Sequence, residues 1–163
     1  MFEKFGEFNS AEELNELAEN LLNEGDRASL EELAKENGLD AEYVELYVQG
    51  EIPELCDVLS AAYGKLDVES KELKIKDLMQ DWVEYIKCVC MENEMMALQV
   101  RSKDKSLKRC LAVILKWSFK HQQPIDKDLL KEAGVAAGRV TFGIPDMNQA
   151  KKLIRKYYLG EQI

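Results

Sequence analysis

The chain has 163 residues, 46% hydrophobic and 33% charged. That balance excludes a disordered polymer and leaves enough chain to bury one core or two small ones. No apolar run approaches the roughly 18 residues that a membrane span needs, and the opening "MFEKFGEFNSAEEL" lacks the basic start and apolar centre of a signal peptide; a cytoplasmic protein is expected. The net charge of −9 hides an asymmetry. Residues 1–100 hold 8 Lys and Arg against 25 Asp and Glu, a balance of −17, whereas residues 101–163 hold 14 against 6, a balance of +8. Two ends so different either meet different partners or neutralise one another.

Helix signals dominate in chain order. Ser10 with Glu13 and Ser29 with Glu32 read as capping boxes, and Asp146 with Gln149 has the same form. After the first, Leu14, Leu17, Leu21 and Leu22 recur at helical spacing, and Asn23-Glu24-Gly25-Asp26 stops the helix. A second helix is predicted from about Leu30 to Asn37, ending at Gly38. Asp40 caps a third that ends at Gly50, and Pro53 opens a fourth that Gly64 closes. A long helical stretch over 68–99, with a break near Lys74, carries Trp82, Met91, Met95 and Met96, and a polar connection follows from Arg101 to Ser106. Then come the apolar helix "SLKRCLAVILKWSFKHQ", a short helix near 128–132, a glycine-rich segment and a last helix from Met147 to Tyr158. The fold class is therefore mostly all-α. It comprises an acidic, four-helix, helix-turn-helix-like unit over 1–66 and a helical domain with a basic C-terminal part over 67–163. At most one short strand is expected, near 139–144.

Little here points to a cofactor or to catalysis. Cys56, Cys88, Cys90 and Cys110 contain no CxxC pair, and Cys88 and Cys90 lie about 200° apart on a helix; four free, mostly buried thiols are expected. His121 is the one histidine, so the usual partners for a metal or a triad are missing. Gly138 and Gly143 lead into Ile144-Pro145, not the Lys-Ser/Thr of a phosphate loop. No enzyme, metal or cofactor is predicted.

Leu33-Ala34 is followed by three residues and then Gly38-Leu39; Val44 falls six residues after that glycine, and Gly50 six after Val44. Leu33, Ala34 and Val44 supply a small core that sets the angle between two helices, and Gly38 takes the turn. In this spacing residues 10–64 resemble the lambda-repressor-like (XRE) helix-turn-helix family. That resemblance implies a groove-reading helix whose exposed positions here are Ala41, Glu42 and Glu45. Between Leu30 and Glu51, however, the unit carries seven acidic residues and one lysine, Lys35. Phosphate contacts that normally supply much of the affinity for DNA need the opposite charge. The acidic face Glu31, Glu32, Glu36, Glu42 and Glu45 is therefore expected to meet a protein with a basic surface, such as a nucleic-acid-binding effector. The whole chain also resembles, loosely, small uncharacterised proteins of mobile genetic elements, and anti-CRISPR proteins share its style. That resemblance, carried mainly by the first 60 residues, implies a role in conjugation, element regulation or countering host defence.

The basic third offers the alternative. Projected at 100° per residue, Lys105, Arg109, Lys116 and Lys120 fall within roughly 60° of one another, and Lys151, Lys152, Arg155 and Lys156 precede Tyr157 and Tyr158. A basic stripe beside aromatics suits a nucleic-acid backbone with base stacking, and equally a solvated face balancing the acidic half. Membrane binding is not expected, because the apolar residues of these helices are needed for the core. The leading expectation is a non-enzymatic interaction or inhibitor protein. A transcriptional regulator binding DNA through its C-terminal helices is the alternative, and a self-associating module, a homodimer for example, is a third.

Overall fold

The computed structural model describes residues 2–162. Among them are nine α-helices and one two-stranded antiparallel sheet, so the fold is all-α with a short strand pair. The N-terminal helices are α1 (Ala11–Asn23), α2 (Arg27–Glu36) and α3 (Ala41–Val48). The rest comprise α4 (Val58–Leu73), α5 (Leu78–Glu92), α6 (Glu94–Arg101), α7 (Leu107–Lys120), α8 (Lys127–Glu132) and α9 (Met147–Leu159). Strand β1 (Gln123–Pro124) pairs with β2 (Thr141–Phe142), the latter inside the expected 139–144 window. No helix is long and apolar enough to cross a membrane.

Capping decides most boundaries. The hydroxyl of Ser10 accepts the Glu13 amide while Glu13 accepts the Asn9 amide, and Asp146 accepts the Gln149 amide, as the sequence predicts. The second box is not used in that way. Asp26 caps α2 by accepting the amide of Ser29, so the helix starts at Arg27. Nor does Pro53 open the fourth helix; α4 starts at Val58, where Asp57 accepts the Ser60 amide at 2.6 Å. A break does fall at Lys74, which adopts a left-handed conformation at φ 53°, and a second at Asn93 divides α5 from α6.

Gly64 does not stop α4. It lies in mid-helix where the backbone of the Asn37–Gly38 turn presses against it, and a Cβ on either glycine would collide with the other segment's carbonyl oxygen. The same Gly38 takes φ +69° between α2 and α3. Close backbone approach, not helix termination, explains the glycine. The first turn of α4 puts Ala61 into an N-terminal apolar cluster, with Leu14, Leu30, Leu33, Val44 and Leu55. Its neighbour Ala62, together with Leu66, joins the C-terminal cluster of Trp82, Ile86, Met96 and Ile154.

A buried polar knot also crosses between the two clusters. Arg101, expected in a surface connection, is instead the last residue of α6 and is 1% exposed. Its Nη2 donates to the Phe8 carbonyl and to Asn37 Oδ1, both at 3.1 Å, and Asn37 Nδ2 donates back to the Leu33 carbonyl. Lys65 of α4, fully buried, donates to the carbonyls of Ser102 and Lys105 at 2.7 and 2.8 Å and pairs with Glu7 at 2.6 Å. All three ammonium protons are thus used, and the charge sits on the carbonyl end of α6, where the helix dipole favours it. Glu69, one turn further along α4, accepts the Leu107 amide at the start of α7. Burial raises the Glu69 carboxyl above 4.5, opposed by that hydrogen bond and by Lys65; burial likewise lowers the Arg101 guanidinium.

Two outcomes test this packing. Replacing a glycine by alanine within an exposed helix stabilises it by about 1 kcal/mol. Gly64→Ala should instead lower unfolding stability by about 3 kcal/mol, read as a drop in the urea midpoint. The second concerns Glu69. A carboxyl whose folded pKa lies above its unfolded value binds protons more tightly in the native state. Its contribution therefore falls as pH rises from about 4.5 through the folded value. Glu69→Gln keeps an acceptor for Leu107 but does not titrate. The stability of wild type relative to Glu69→Gln should be greatest near pH 4.5 and decline towards pH 7; a difference that grows with pH would show pairing with Lys65 outweighing burial.

Candidate functional site

The five glutamates of the expected acidic face do not form one free surface. Arg27, at the first turn of α2, donates through Nε to Glu31 at 2.8 Å and also pairs with Glu45 of α3. Glu32 lies 4.0 Å from Lys35. Glu36 is turned onto the N-terminal strap, residues 2–10 ahead of α1, accepting the backbone amides of Glu3, Lys4 and Phe5 at 3.1, 2.7 and 3.3 Å. Of the five, Glu42 alone is exposed without an ion pair. The start of α3 faces a groove of about 1240 Å³ whose opposite wall is the chain's own α4 and the turn after it. Glu31, Asp40 and Glu45, with Lys35, line one side, and Lys71, Lys74 and Lys76, with Asp67, the other.

A second acidic surface was not singled out from the sequence. Glu12, Glu16 and Glu19 recur along the outer face of α1 and converge with Glu54 around a groove of about 550 Å³. Leu22, Tyr47, Ile52 and Pro53 give it apolar walls, and no lysine or arginine lines it. Its shape follows from one clamp: Asn15 donates to the Cys56 carbonyl at 2.8 Å and accepts the Cys56 amide at 3.1 Å, which holds the segment after α3 against α1. Burial, then the charges of Glu19 and Glu54, raise the Tyr47 phenol above its ordinary 10. At 1.5 Å rise per residue the three α1 carboxylates are spaced about 6 and 4.5 Å along the axis. The i, i+4, i+7 pattern was the available signal; its meeting with Glu54 needs the fold.

The basic residues are likewise divided. Lys105 precedes α7 and donates to the Tyr157 carbonyl at 2.7 Å while lying over the Tyr157 ring. Arg109 donates to the Asp104 carbonyl, Lys151 lies 5.1 Å from the Tyr85 ring centre, and Arg155 makes a two-pronged pair with Glu161 at 2.7 and 2.6 Å. Lys116 and Lys120 of α7 and Lys152 and Lys156 of α9 are exposed and unpaired. The tyrosines expected for base stacking are not presented: Tyr158 is buried, and the Tyr157 hydroxyl accepts the Ser106 amide.

Cys56, Cys90 and Cys110 are buried and burial pushes each thiol up to about 12, which leaves them as neutral core groups; Cys88 is exposed. His121 stacks on Trp117 with ring centres 4.1 Å apart and its Nδ1 lies 2.8 Å from the Trp117 carbonyl. Gly143 packs against the Ser118 carbonyl, where a side chain would collide. No group of three or more His, Cys, Asp or Glu suited to a metal is found among the described residues. No family model, curated protein or solved structure matches the chain.

Proposed function

We propose that this is a non-enzymatic interaction protein whose acidic end occupies a basic, nucleic-acid-binding surface of another protein, in the manner of a nuclease or anti-CRISPR inhibitor. The observation that carries the reading is the α1 groove: Glu12, Glu16, Glu19 and Glu54 around Tyr47, Ile52 and Pro53, with no cation among the lining residues. Carboxylates at helical spacing offer a basic cleft what a phosphate backbone offers it. The adjoining apolar walls add the desolvated contacts that fix a protein interface. Glu42 does not line this groove, Glu31 and Glu45 are partly neutralised by Arg27, and Glu36 is committed to the strap. Direct reading of DNA by the start of α3 is disfavoured both by its glutamates and by α4, which walls the groove that α3 faces. A mobile-element origin rests on the resemblance alone.

The alternative regulator needs the basic helices to hold phosphates, and four of its eight expected cations already have internal partners. The deciding experiment compares three tagged proteins in pull-downs from host lysate, with and without nuclease. One is wild type, one is Glu12→Lys/Glu16→Lys/Glu19→Lys and one is Lys116→Glu/Lys120→Glu. The inhibitor reading expects a defined protein that survives nuclease. It should be lost, by about tenfold or more, from the glutamate variant, and retained by the lysine variant. Recovery that disappears with nuclease and with the lysine changes would establish the regulator instead.

A further inference from the structure

We infer that the outer face of α7, with the adjoining strand β2, is a docking surface for an anionic phospholipid bilayer. This goes beyond the proposed function and does not depend on it. The apolar residues of α7 were expected to be needed for the core, yet the helix is apolar on two sides. Leu107, Cys110 and Ile114 are buried. On the opposite side Leu115 is 54% and Phe119 68% exposed, and Phe142 and Ile144, which flank the Gly143 contact on the last turns of α7, are 59% and 48% exposed. Exposed large apolar side chains one turn apart on a helix, as Leu115 and Phe119 are, mark a surface that another apolar phase covers.

The charge on the same arc selects the phase. Projected at 100° per residue, Leu115, Phe119 and Ala112 lie within about 60°, and Lys116, Arg109 and Lys120 follow within the next 80° or so. Lys108 stands in the apolar sector one turn nearer the start of the helix, and α7 contains no acidic residue. Of the carboxylates in the neighbouring segment, Asp126 and Asp146 are held as helix caps, accepting the amides of Asp128, Leu129 and Gln149. Asp128 and Glu132 are offset by Lys127, Lys131 and Arg139. Leucine and isoleucine have no stacking partner in a nucleic acid, whereas lipid headgroups over acyl chains satisfy lysine and leucine together. A symmetric pairing of two α7 faces would set lysines against lysines.

The acidic half does not oppose this orientation. A domain of this length has a radius of gyration of about 15 Å, and charges are screened within about 8 Å at physiological ionic strength. Carboxylates farther than that from the lipid surface therefore oppose docking little. The residues 121–144 next to α7 contribute no fully buried side chain, so contact with lipid there disturbs no core.

The test is co-sedimentation of the full chain with vesicles of phosphatidylcholine alone and of phosphatidylcholine with one part in three of phosphatidylserine. The same measurement is made on Leu115→Ser/Phe119→Ser and on Lys116→Glu/Lys120→Glu, both exposed sites, with thermal melts to confirm folding. Partition into the serine-containing vesicles only, reduced about tenfold or more by each variant, is the expected result. Absence of partition, equal partition into neutral vesicles, or partition unchanged in the folded variants would overturn the proposal. So would a wild type that binds a DNA or RNA oligonucleotide through Lys116 and Lys120 while ignoring both vesicles.

Discussion

Everything in this fold hangs on two buried cations at the end of α6. Arg101 and Lys65 come from different helices and reach the strap through Phe8 and Glu7, the α2 terminus through Asn37, and the turn into α7 through Ser102 and Lys105. Burying two charges is expensive, and the Arg101 nitrogens Nε and Nη1 have no hydrogen-bond partner. Such groups contribute less to net stability than hydrophobic replacements of equal size often do. Their effect is geometric. These contacts tie the strap, α2, α4 and α6 to one another, so the two apolar clusters are held together by a polar core as well as by packing.

That constraint explains why the two ends can keep unbalanced charge. The α1 carboxylates and the α7 lysines are not consumed in each other's neutralisation, because the two apolar clusters are already joined through α4 and the knot. The α1 groove, braced by Asn15, keeps its carboxylates, and α7 keeps its exposed lysines beside uncovered apolar side chains. The proposed protein partner and the proposed lipid surface each use one end and leave the other accessible.

How much of this was legible depends on the range of the interaction. Caps and periodicity are local, and the sequence placed α1, α7, α8, α9 and the break at Lys74 where the structure has them. Where a local signal competed with a distant one, it misled. Gly64 has the look of a helix stop, but its missing side chain serves a turn 26 residues away. Arg101 sits among polar residues and looks like linker, but its partners Asn37 and Phe8 lie 64 and 93 residues off. The glutamates of α2 and α3 look like one face in the sequence, yet a single residue, Arg27, ties two of them together, and Glu36 serves the strap. For the same reason the α1 groove stayed hidden: its stripe is local, but Glu54 and Tyr47 arrive through a clamp 41 residues apart in sequence.

If the knot unites the halves, they should open together. Native-state hydrogen exchange on wild type and Arg101→Met tests this most directly, following the best-protected amides of both apolar clusters, for instance at Leu33 and Ile154. The account predicts a common free energy of opening for the two clusters in wild type, and a common fall of about 1–3 kcal/mol when Arg101 is replaced and the Phe8 carbonyl and Asn37 Oδ1 lose their donor. Two separate opening energies in wild type, or a loss confined to one cluster in the variant, would contradict it.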